Sequence, residues 1–478
     1  MNGYAKKILL IAGAITFVVF AGLIALQFNI NTYTPQIEAA VSTALGLDVR
    51  IKGKMEVSIF PGFGLSLKDV NVRNNGSDVA KIEKMRIELN LIQLSRFKIE
   101  VIQVGLFKPV ISIIRSTNGL LNSERPVRTP WQRLLAVKGI SVSQGNLVYA
   151  DDASGDKIDA GDIDLSIKNH NPGRTNSAEP FKEVSLTGDI KFKILKINDL
   201  TLMNLVMKAT GKKGIFDINT VDMNIAGGTG SGSIHVDVSG PSPQYRLICN
   251  FSRVRIEELL GLYALNKNLR KTIEGPIDFS ADLTATGKSA DAVKRSLTGN
   301  LSLSGQDLML YNIDIDALIK KYERSRNFNL VDVGAFLLAG PFGPVLTKSY
   351  NFTSLYQESQ GGKGTIRKIV SDWEVRNGIA KARDVALSSK KQRIAMKGGL
   401  NFNNERFVDI TIAALDKRGC AVYSEKVRGP FRDPQIEKEN IFKSIAGSVM
   451  NPLKDGWKFL QGEACTVFYA GSVIDPQE

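Results

Sequence analysis

Cysteine and histidine are scarce in this chain of 478 residues, which contains three cysteines and two histidines. Three cysteines are too few for a disulfide scaffold or for a zinc site built from cysteine ligands. Neither His170 nor His235 has a nearby serine, cysteine or carboxylate in the pattern of a catalytic triad or a metal site. The sequence therefore predicts a protein that is not an enzyme and that needs no metal or cofactor.

Three segments resemble ligand-binding motifs but lack what the chemistry requires. A phosphate loop ending in Gly287-Lys288-Ser289 needs a glycine five positions before Gly287, where Asp282 stands. The glycine-rich residues 227–232 have no following helix whose N-terminus would bind an anion, so we predict a turn between strands. The acidic residues 151–164 lack the spacing of an EF-hand and are predicted to form a solvated loop and strand edge.

Long apolar runs are absent except at the N-terminus, where residues 8–28 are almost entirely apolar. A helix of this length spans roughly 30 Å, the thickness of a hydrocarbon core. Lys6 and Lys7 precede it, which predicts a cytoplasmic N-terminus and transfer of the remaining chain across the membrane. The end of this apolar segment is a poor site for cleavage of a signal peptide. We therefore predict an uncleaved signal anchor containing Ile8, Leu9, Ile15, Phe17, Phe20, Leu23, Leu26 and Phe28. The alternatives are a cleaved signal peptide and a buried core helix.

The formal net charge of +14 favours acidic partners, such as anionic lipid headgroups or nucleic acid. Nucleic acid is disfavoured because the predicted anchor places most of the chain outside the cytoplasm. The sequence also has no basic and aromatic cluster suited to stacking bases. The alternative interpretation is that lysine and arginine only solvate the outward faces of strands.

Cys420 and Cys465 both lie near the C-terminus, on the side of the membrane where thiols can oxidise. We predict that they form a disulfide, which would stabilise the fold by about 4 kcal/mol on chain-entropy grounds. Cys249 lies within an apolar segment and is predicted to be a buried strand residue.

From residue 47 onward, apolar and polar residues alternate in many segments, which is typical of strands with one apolar face. Turn signals separate these segments. Helices are predicted only at residues 34–45, 255–265, 290–297, 313–322, 331–338 and 440–449. The alternating positions that we expect to share an apolar face are Ile87, Leu89, Leu91, Ile163, Leu165, Ile167, Leu186, Ile190 and Phe192.

Each of these many strands has one apolar face that must be buried. The few predicted helices are not enough to bury them all. A closed sandwich pairs two apolar faces, and a barrel folds one face onto itself. A third solution is a long sheet curled into a trough, which leaves an apolar surface suited to an apolar cargo. Periodicity alone does not choose among these three.

Several short motifs occur in a fixed order along the chain, from the predicted anchor to the last strand. They are Phe60-Pro61-Gly62, Leu67-Lys68-Asp69-Val70, Gly119-Leu120-Leu121-Asn122, Leu297-Thr298-Gly299-Asn300, Gly429-Pro430-Phe431 and, after Cys465, Phe468-Tyr469-Ala470-Gly471. Each motif is weak by itself, but their order over more than 400 positions is specific. In this respect the chain resembles the AsmA family of bacterial envelope proteins.

The resemblance implies a mainly β fold in which a transmembrane helix precedes an elongated, twisted antiparallel sheet curled into an apolar groove. Residues 1–28 would be the cytoplasmic stub and anchor, residues 29–239 the N-terminal groove region, and residues 240–478 the C-terminal region. The protein would be a single-pass bacterial inner-membrane protein with its bulk in the periplasm.

The function implied by the resemblance is the transport of phospholipids from the inner to the outer membrane, and with it the maintenance of the envelope. The expected partners are the inner membrane, its phospholipids and other envelope or outer-membrane proteins. The alternative is a factor for outer-membrane protein assembly, which would offer a sheet edge to polypeptide strands.

Overall fold

The computed structural model describes residues 30–45, 47–58, 62–74, 76–94, 101–117, 119, 121–122, 137–171, 182, 184–198, 200–261, 273–325, 337, 362–439 and 465–476. Three predicted segments lie outside these ranges: the anchor at residues 8–28, the helix at 440–449 and most of the helix at 331–338. Among the described residues, no helix combines the length and hydropathy that a membrane span requires.

Strands dominate the described chain, as the period-two alternation predicts. The first ten are β1 (Asp48–Ile51), β2 (Met55–Ser58), β3 (Gly64–Asn74), β4 (Ser77–Leu89), β5 (Val101–Arg115), β6 (Gly139–Asp151), β7 (Lys157–Asn171), β8 (Ser185–Ile197), β9 (Leu200–Lys212) and β10 (Ile215–Ile225). The remaining strands are β11 (Gly228–Asp237), β12 (Gln244–Arg255), β13 (Ile273–Glu274), β14 (Pro276–Thr286), β15 (Thr298–Tyr311), β16 (Lys363–Arg376), β17 (Ile379–Ser388), β18 (Arg393–Asn401), β19 (Arg406–Leu415), β20 (Ala421–Pro430) and β21 (Gln435–Glu439).

The described helices are few and short, which confirms that part of the predicted fold class. After a 3₁₀ turn (Ile30–Tyr33), they are α1 (Thr34–Leu45), α2 (Leu91–Leu94), α3 (Ile256–Gly261), α4 (Ala290–Ser296) and α5 (Ile315–Ser325). Four of them coincide with predicted helices to within a few residues, and α2 has no counterpart among the predictions.

Most strands pair antiparallel with a neighbour in the chain, but β5 and β6 pair parallel. The expectation of a purely antiparallel sheet is therefore wrong at this pair. Parallel neighbours need a crossover of a dozen or more residues. The segment 116–138 between β5 and β6 is long enough to provide one.

The glycine-rich residues 227–232 are not simply a turn, because all but Gly227 belong to β11. A Cβ atom at Gly230 would lie 2.5 Å from the Cε atom of Met223 and 2.8 Å from the ring of Phe251. A side chain at Gly230 would require Met223 and Phe251 to move. Glycine is used here to admit the neighbouring aromatic ring, which is a packing reason that the sequence pattern does not reveal.

The chain forms two compact units, Met1–Asn198 with Met203–Phe216, and Asp199–Leu202 with Asp217–Glu478. The predicted boundary between residues 239 and 240 separates two regions of the sequence, not two compact units. It stays a prediction.

In the first unit, α1 packs on one end of the sheet. Ile37 and Val41, one helical turn apart, contact the buried core. Ser42 ties the helix to β1, since its Oγ accepts a hydrogen bond from the backbone N–H of Val49 at 2.9 Å. The core beneath the helix consists of Val49, Ile51, Met55, Leu67, Val70, Val72, Ile82 and Met85.

In the second unit, α5 covers the sheet in the same manner. Ile315, Leu318 and Ile319 of this helix are buried in the core, together with Trp373 and Leu337. The indole N–H of Trp373 donates to Ser371 Oγ at 2.8 Å, and that hydroxyl donates to the carbonyl oxygen of Leu337 at 2.6 Å. The Trp373 indole and the Ser371 hydroxyl are therefore both satisfied, as burial requires.

The C-terminal segment, residues 465–476, covers the other face of the second unit's sheet. Tyr469 and Val473 pack on a row of small buried residues that includes Ala386, Ala395 and Ala413. Burial, reinforced by a hydrogen bond to Asp384, raises the pKa of the Tyr469 hydroxyl, which therefore stays protonated at neutral pH.

A disulfide between Cys420 and Cys465 joins this C-terminal segment to the start of β20. Replacing both cysteines by serine should lower the free energy of unfolding by about 4 kcal/mol, because the bond closes a loop with a sequence separation of 45. The measurement is urea unfolding with and without dithiothreitol. Wild type should lose stability on reduction, and the Cys420→Ser/Cys465→Ser variant should not respond.

The matched control is Cys249→Ser, which removes the free thiol and leaves the disulfide intact. This variant should keep the full response to dithiothreitol. A wild-type unfolding midpoint that does not change on reduction would contradict a stabilising role for the bond.

Candidate functional site

One face of the first unit's sheet is apolar across six neighbouring strands. Residues directly opposite each other in paired strands point to the same face of a sheet. The register from β3 to β8 therefore joins apolar side chains into continuous rows, which together we call the apolar face. The rows are Leu65, Ile87, Val104, Ile140 and Ile167; then Leu67, Met85, Leu106, Val142, Leu165 and Ile190; and Val72, Ala80, Ile111, Leu147, Ala160 and Leu195.

The opposite surface of the same strands, which we call the polar face, carries mostly charged and hydroxyl side chains. Lys68 lies opposite Lys84, and Asp164 lies opposite Lys191. The two faces therefore have different chemistry, and strict alternation along each strand produces the difference.

Single residues with left-handed backbone keep the apolar rows aligned where alternation would otherwise fail. Asp69, Lys108, Gln144 and Asp162 have φ values of 53°, 47°, 54° and 54°, in the left-handed region. Each occupies one extra position between apolar-face residues. In β5, for example, Leu106 and Pro109 are three apart, yet both lie on the apolar face because Lys108 is inserted. Without these insertions, half of each strand would turn its apolar residues to the polar face.

Helix α1 covers the apolar face only near β1 to β4. Farther along, on β6 to β8, the side chains of the rows are half-buried, except for Ala160, which is buried. None of the following belongs to the fully buried core of the described residues: Ile140, Val142, Leu147, Ile163, Leu165, Ile167, Ile190, Phe192 and Leu195. A substantial apolar surface therefore remains accessible to a molecule from outside.

The structure brings most of the predicted lining residues together. Ile163 lies opposite Phe192 and Leu165 opposite Ile190, while Ile167 faces Gly188. Ile87 lies on the apolar face in β4, opposite Val104. Leu89 at the end of β4 and Leu186 in β8 are half-buried strand residues.

Leu91 is the exception, because it begins α2 rather than extending β4. The Oδ1 atom of Asn90 accepts a hydrogen bond from the N–H of Ile92 at 3.1 Å, so Asn90 ends the strand and starts the helix. The predicted strand alternation therefore stops at Leu89.

Four residues of β5 and β6 that the sequence analysis did not select complete the same face. Val104, Leu106, Ile140 and Val142 connect Ile87 of β4 with Ile167 and Leu165 of β7. The signal for them is present, since Gly105 and Ser141 alternate with these apolar positions. This alternation signal is weaker than in the other strands, because the glycine between the apolar residues has no polar side chain.

The second unit also has an apolar face that is only partly covered. At β11 and β12, Ile234 lies opposite Leu247, and these side chains remain 43% and 40% exposed. Nearby, the rings of Phe251 and Phe279 stack with centroids 6.0 Å apart. Cys249 is half-buried rather than buried as predicted, and desolvation there raises the pKa of its thiol.

The motifs that resemble ligand sites have structural roles. Ser289 caps α4, since its Oγ accepts a hydrogen bond from the N–H of Ala292 at 3.2 Å. The Asp282 carboxylate binds the guanidinium of Arg246, which lowers the pKa of Asp282. Among the described residues, the only cluster with metal-ligand chemistry is Asp416, Cys420 and Cys465, and both of its sulfurs belong to the disulfide.

These features define a mainly β protein whose sheet carries an extended apolar surface. The family model for the AsmA family matches residues 3–179 and 131–332, which together make up more than half of the chain. The chain therefore belongs to the AsmA family. Neither the curated proteins nor the solved structures include a match to this chain.

If the apolar face is accessible at β7, a charge there should be tolerated better than a charge under α1. We expect Leu67→Asp to lower the free energy of unfolding by about 4 kcal/mol or more, because Leu67 is only 1% exposed. Leu165→Asp should cost roughly 1–2 kcal/mol, since its carboxylate stays hydrated. Urea unfolding measures both. Equal losses would show that β7 is part of a closed core.

Proposed function

We propose that this AsmA-family protein handles phospholipids in the bacterial periplasm, with residues 8–28 anchoring it in the inner membrane. The apolar face of the first unit holds acyl chains, and the protein contributes to lipid transport from the inner to the outer membrane and to envelope homeostasis. The observation that carries this proposal is the half-buried apolar surface on β6 to β8.

The energetics of such a surface suit a lipid. Each buried CH₂ group contributes about 0.8 kcal/mol, so an acyl chain gains from contact with a continuous apolar row. Strands are about 4.8 Å apart, and a row across the six strands β3 to β8 is therefore roughly 24 Å long. The rows contain apolar residues in every strand, without a charged interruption.

The bulges support a curled groove rather than a flat sheet. A bulge bends its strand and increases the local twist. Two of them, at Gln144 and Asp162, shift the register between β6 and β7. Bending the sheet in this region would let the apolar face surround a chain while the polar face remains in water.

Lipid binding should be measured by native mass spectrometry of the full chain, extracted from membranes under mild conditions. We expect phospholipids to co-purify with wild type and to be lost from Leu165→Asp, whose carboxylate would have to be desolvated by a bound acyl chain. The matched control is Thr187→Asp, which places the same charge in the adjacent strand on the polar face, opposite Lys168. This control should retain the lipids.

Transfer of labelled phospholipid between vesicles tests the transport step with the same two variants. Wild-type and Thr187→Asp proteins should transfer lipid, and Leu165→Asp should be slower by about tenfold or more. A wild-type chain free of lipid and inactive in transfer would refute the proposal, and would instead favour outer-membrane protein assembly.

A further inference from the structure

Several apolar side chains are exposed on the polar face of the first unit, and two of them lie three residues apart in β5. Phe107 and Val110, both in β5, are 36% and 48% exposed. Their register partners in β4 are Lys84 and Lys81, and in β6 Ser143 and Asn146. An exposed apolar side chain is ordinary by itself, and the distinguishing feature of this pair is the set of lysines around it.

Lysines surround the pair. The Nζ atom of Lys108 lies 5.1 Å from the centre of the Phe107 ring, a cation–π distance. Lys84 and Lys81 are both exposed in the adjacent strand. We call these five residues the basic-apolar patch: Lys81, Lys84, Phe107, Lys108 and Val110.

Carboxylates offset only part of the charge of the basic-apolar patch. Glu83 is paired with Lys108 at 3.3 Å, and Asp78 is paired with both Lys81, at 2.8 Å, and Arg73. Asp162, across the sheet, lies 3.5 Å from Lys193.

Toward β2 and β3, cations outnumber the carboxylates. Glu56 binds Lys68 at 2.6 Å, which leaves the exposed Lys52, Lys54 and Lys84 against the single carboxylate of Asp69. The hydrogen bond from Lys68, and after it the charges of Lys84 and Lys54, lower the pKa of Glu56. The local potential is therefore positive.

We propose that the basic-apolar patch contacts an anionic phospholipid bilayer, with Phe107 and Val110 at headgroup level and Lys84 beside lipid phosphates. Apolar side chains rimmed by flexible lysines suit the bilayer interface, because the alkyl stems lie against lipid while the ammonium groups stay hydrated. The net charge of +14 acts in the same direction. This surface is separate from the apolar face, so it adds a docking function to the handling of acyl chains.

The test uses the full chain reconstituted in nanodiscs, with an environment-sensitive dye on Ser143→Cys in a Cys249→Ser background. Ser143 is exposed and lies opposite Phe107, so the dye reports on the patch and leaves Phe107 in place. We expect a blue shift of the emission in nanodiscs of phosphatidylcholine with phosphatidylglycerol, compared with phosphatidylcholine alone. The shift should disappear at about 1 M salt, where the Debye length is about 3 Å.

Lys84→Gln should lower the ratio of docked to undocked chain about fivefold, the effect of one lysine near an anionic surface. The matched control is Lys168→Gln, an exposed lysine of the same polar face in β7, which should leave the ratio unchanged. Equal emission in neutral and anionic nanodiscs would overturn the proposal, and so would a Lys84→Gln variant that docks like wild type.

Failure of this proposal is distinguishable from failure of the lipid-handling function. Leu165→Asp should keep the blue shift, because the substitution lies on the other side of the sheet. A dye on Thr187→Cys, which is on the polar face but outside the patch, should show no difference between the two kinds of nanodisc.

Discussion

The structure depends on one constraint, which is that directly opposed residues in neighbouring strands must share a face. A slip of one position would move every apolar side chain of a strand to the other side. The chain meets this constraint over β3 to β8 by placing residues with left-handed backbone, such as Lys108 and Gln144, where the alternation changes phase. The apolar rows, the polar face and the basic-apolar patch all follow from that alignment.

Whether an apolar surface becomes a buried core or stays accessible then depends on what covers it. Under α1 in the first unit, and under α5 and Leu337 in the second, the apolar side chains form ordinary buried cores. On β6 to β8, they stay half-buried. A protein gains no stability from apolar surface left in water, which is why we propose that a ligand covers this surface.

Much of the fold was predictable because strand alternation and helix-ending signals are local. The helices at α1, α4 and α5 follow from short-range patterns, and the β class follows from the period of two. The parallel pairing of β5 with β6 was not predictable, because it depends on the path of the intervening chain. Glycines such as Gly230 were misread as a turn because the ring that requires them lies in another strand.

The sequence by itself determined that the chain is mainly β, that it belongs with the AsmA proteins, and that Leu165 and Ile190 are apolar members of alternating strands. Only the tertiary structure decided that these two residues oppose each other and that β5 and β6 complete their rows. It also decided that Phe107 lies on the polar face beside Lys84. The physical reason is that alternation is encoded within one strand, whereas register and cover come from contacts between residues far apart in the chain.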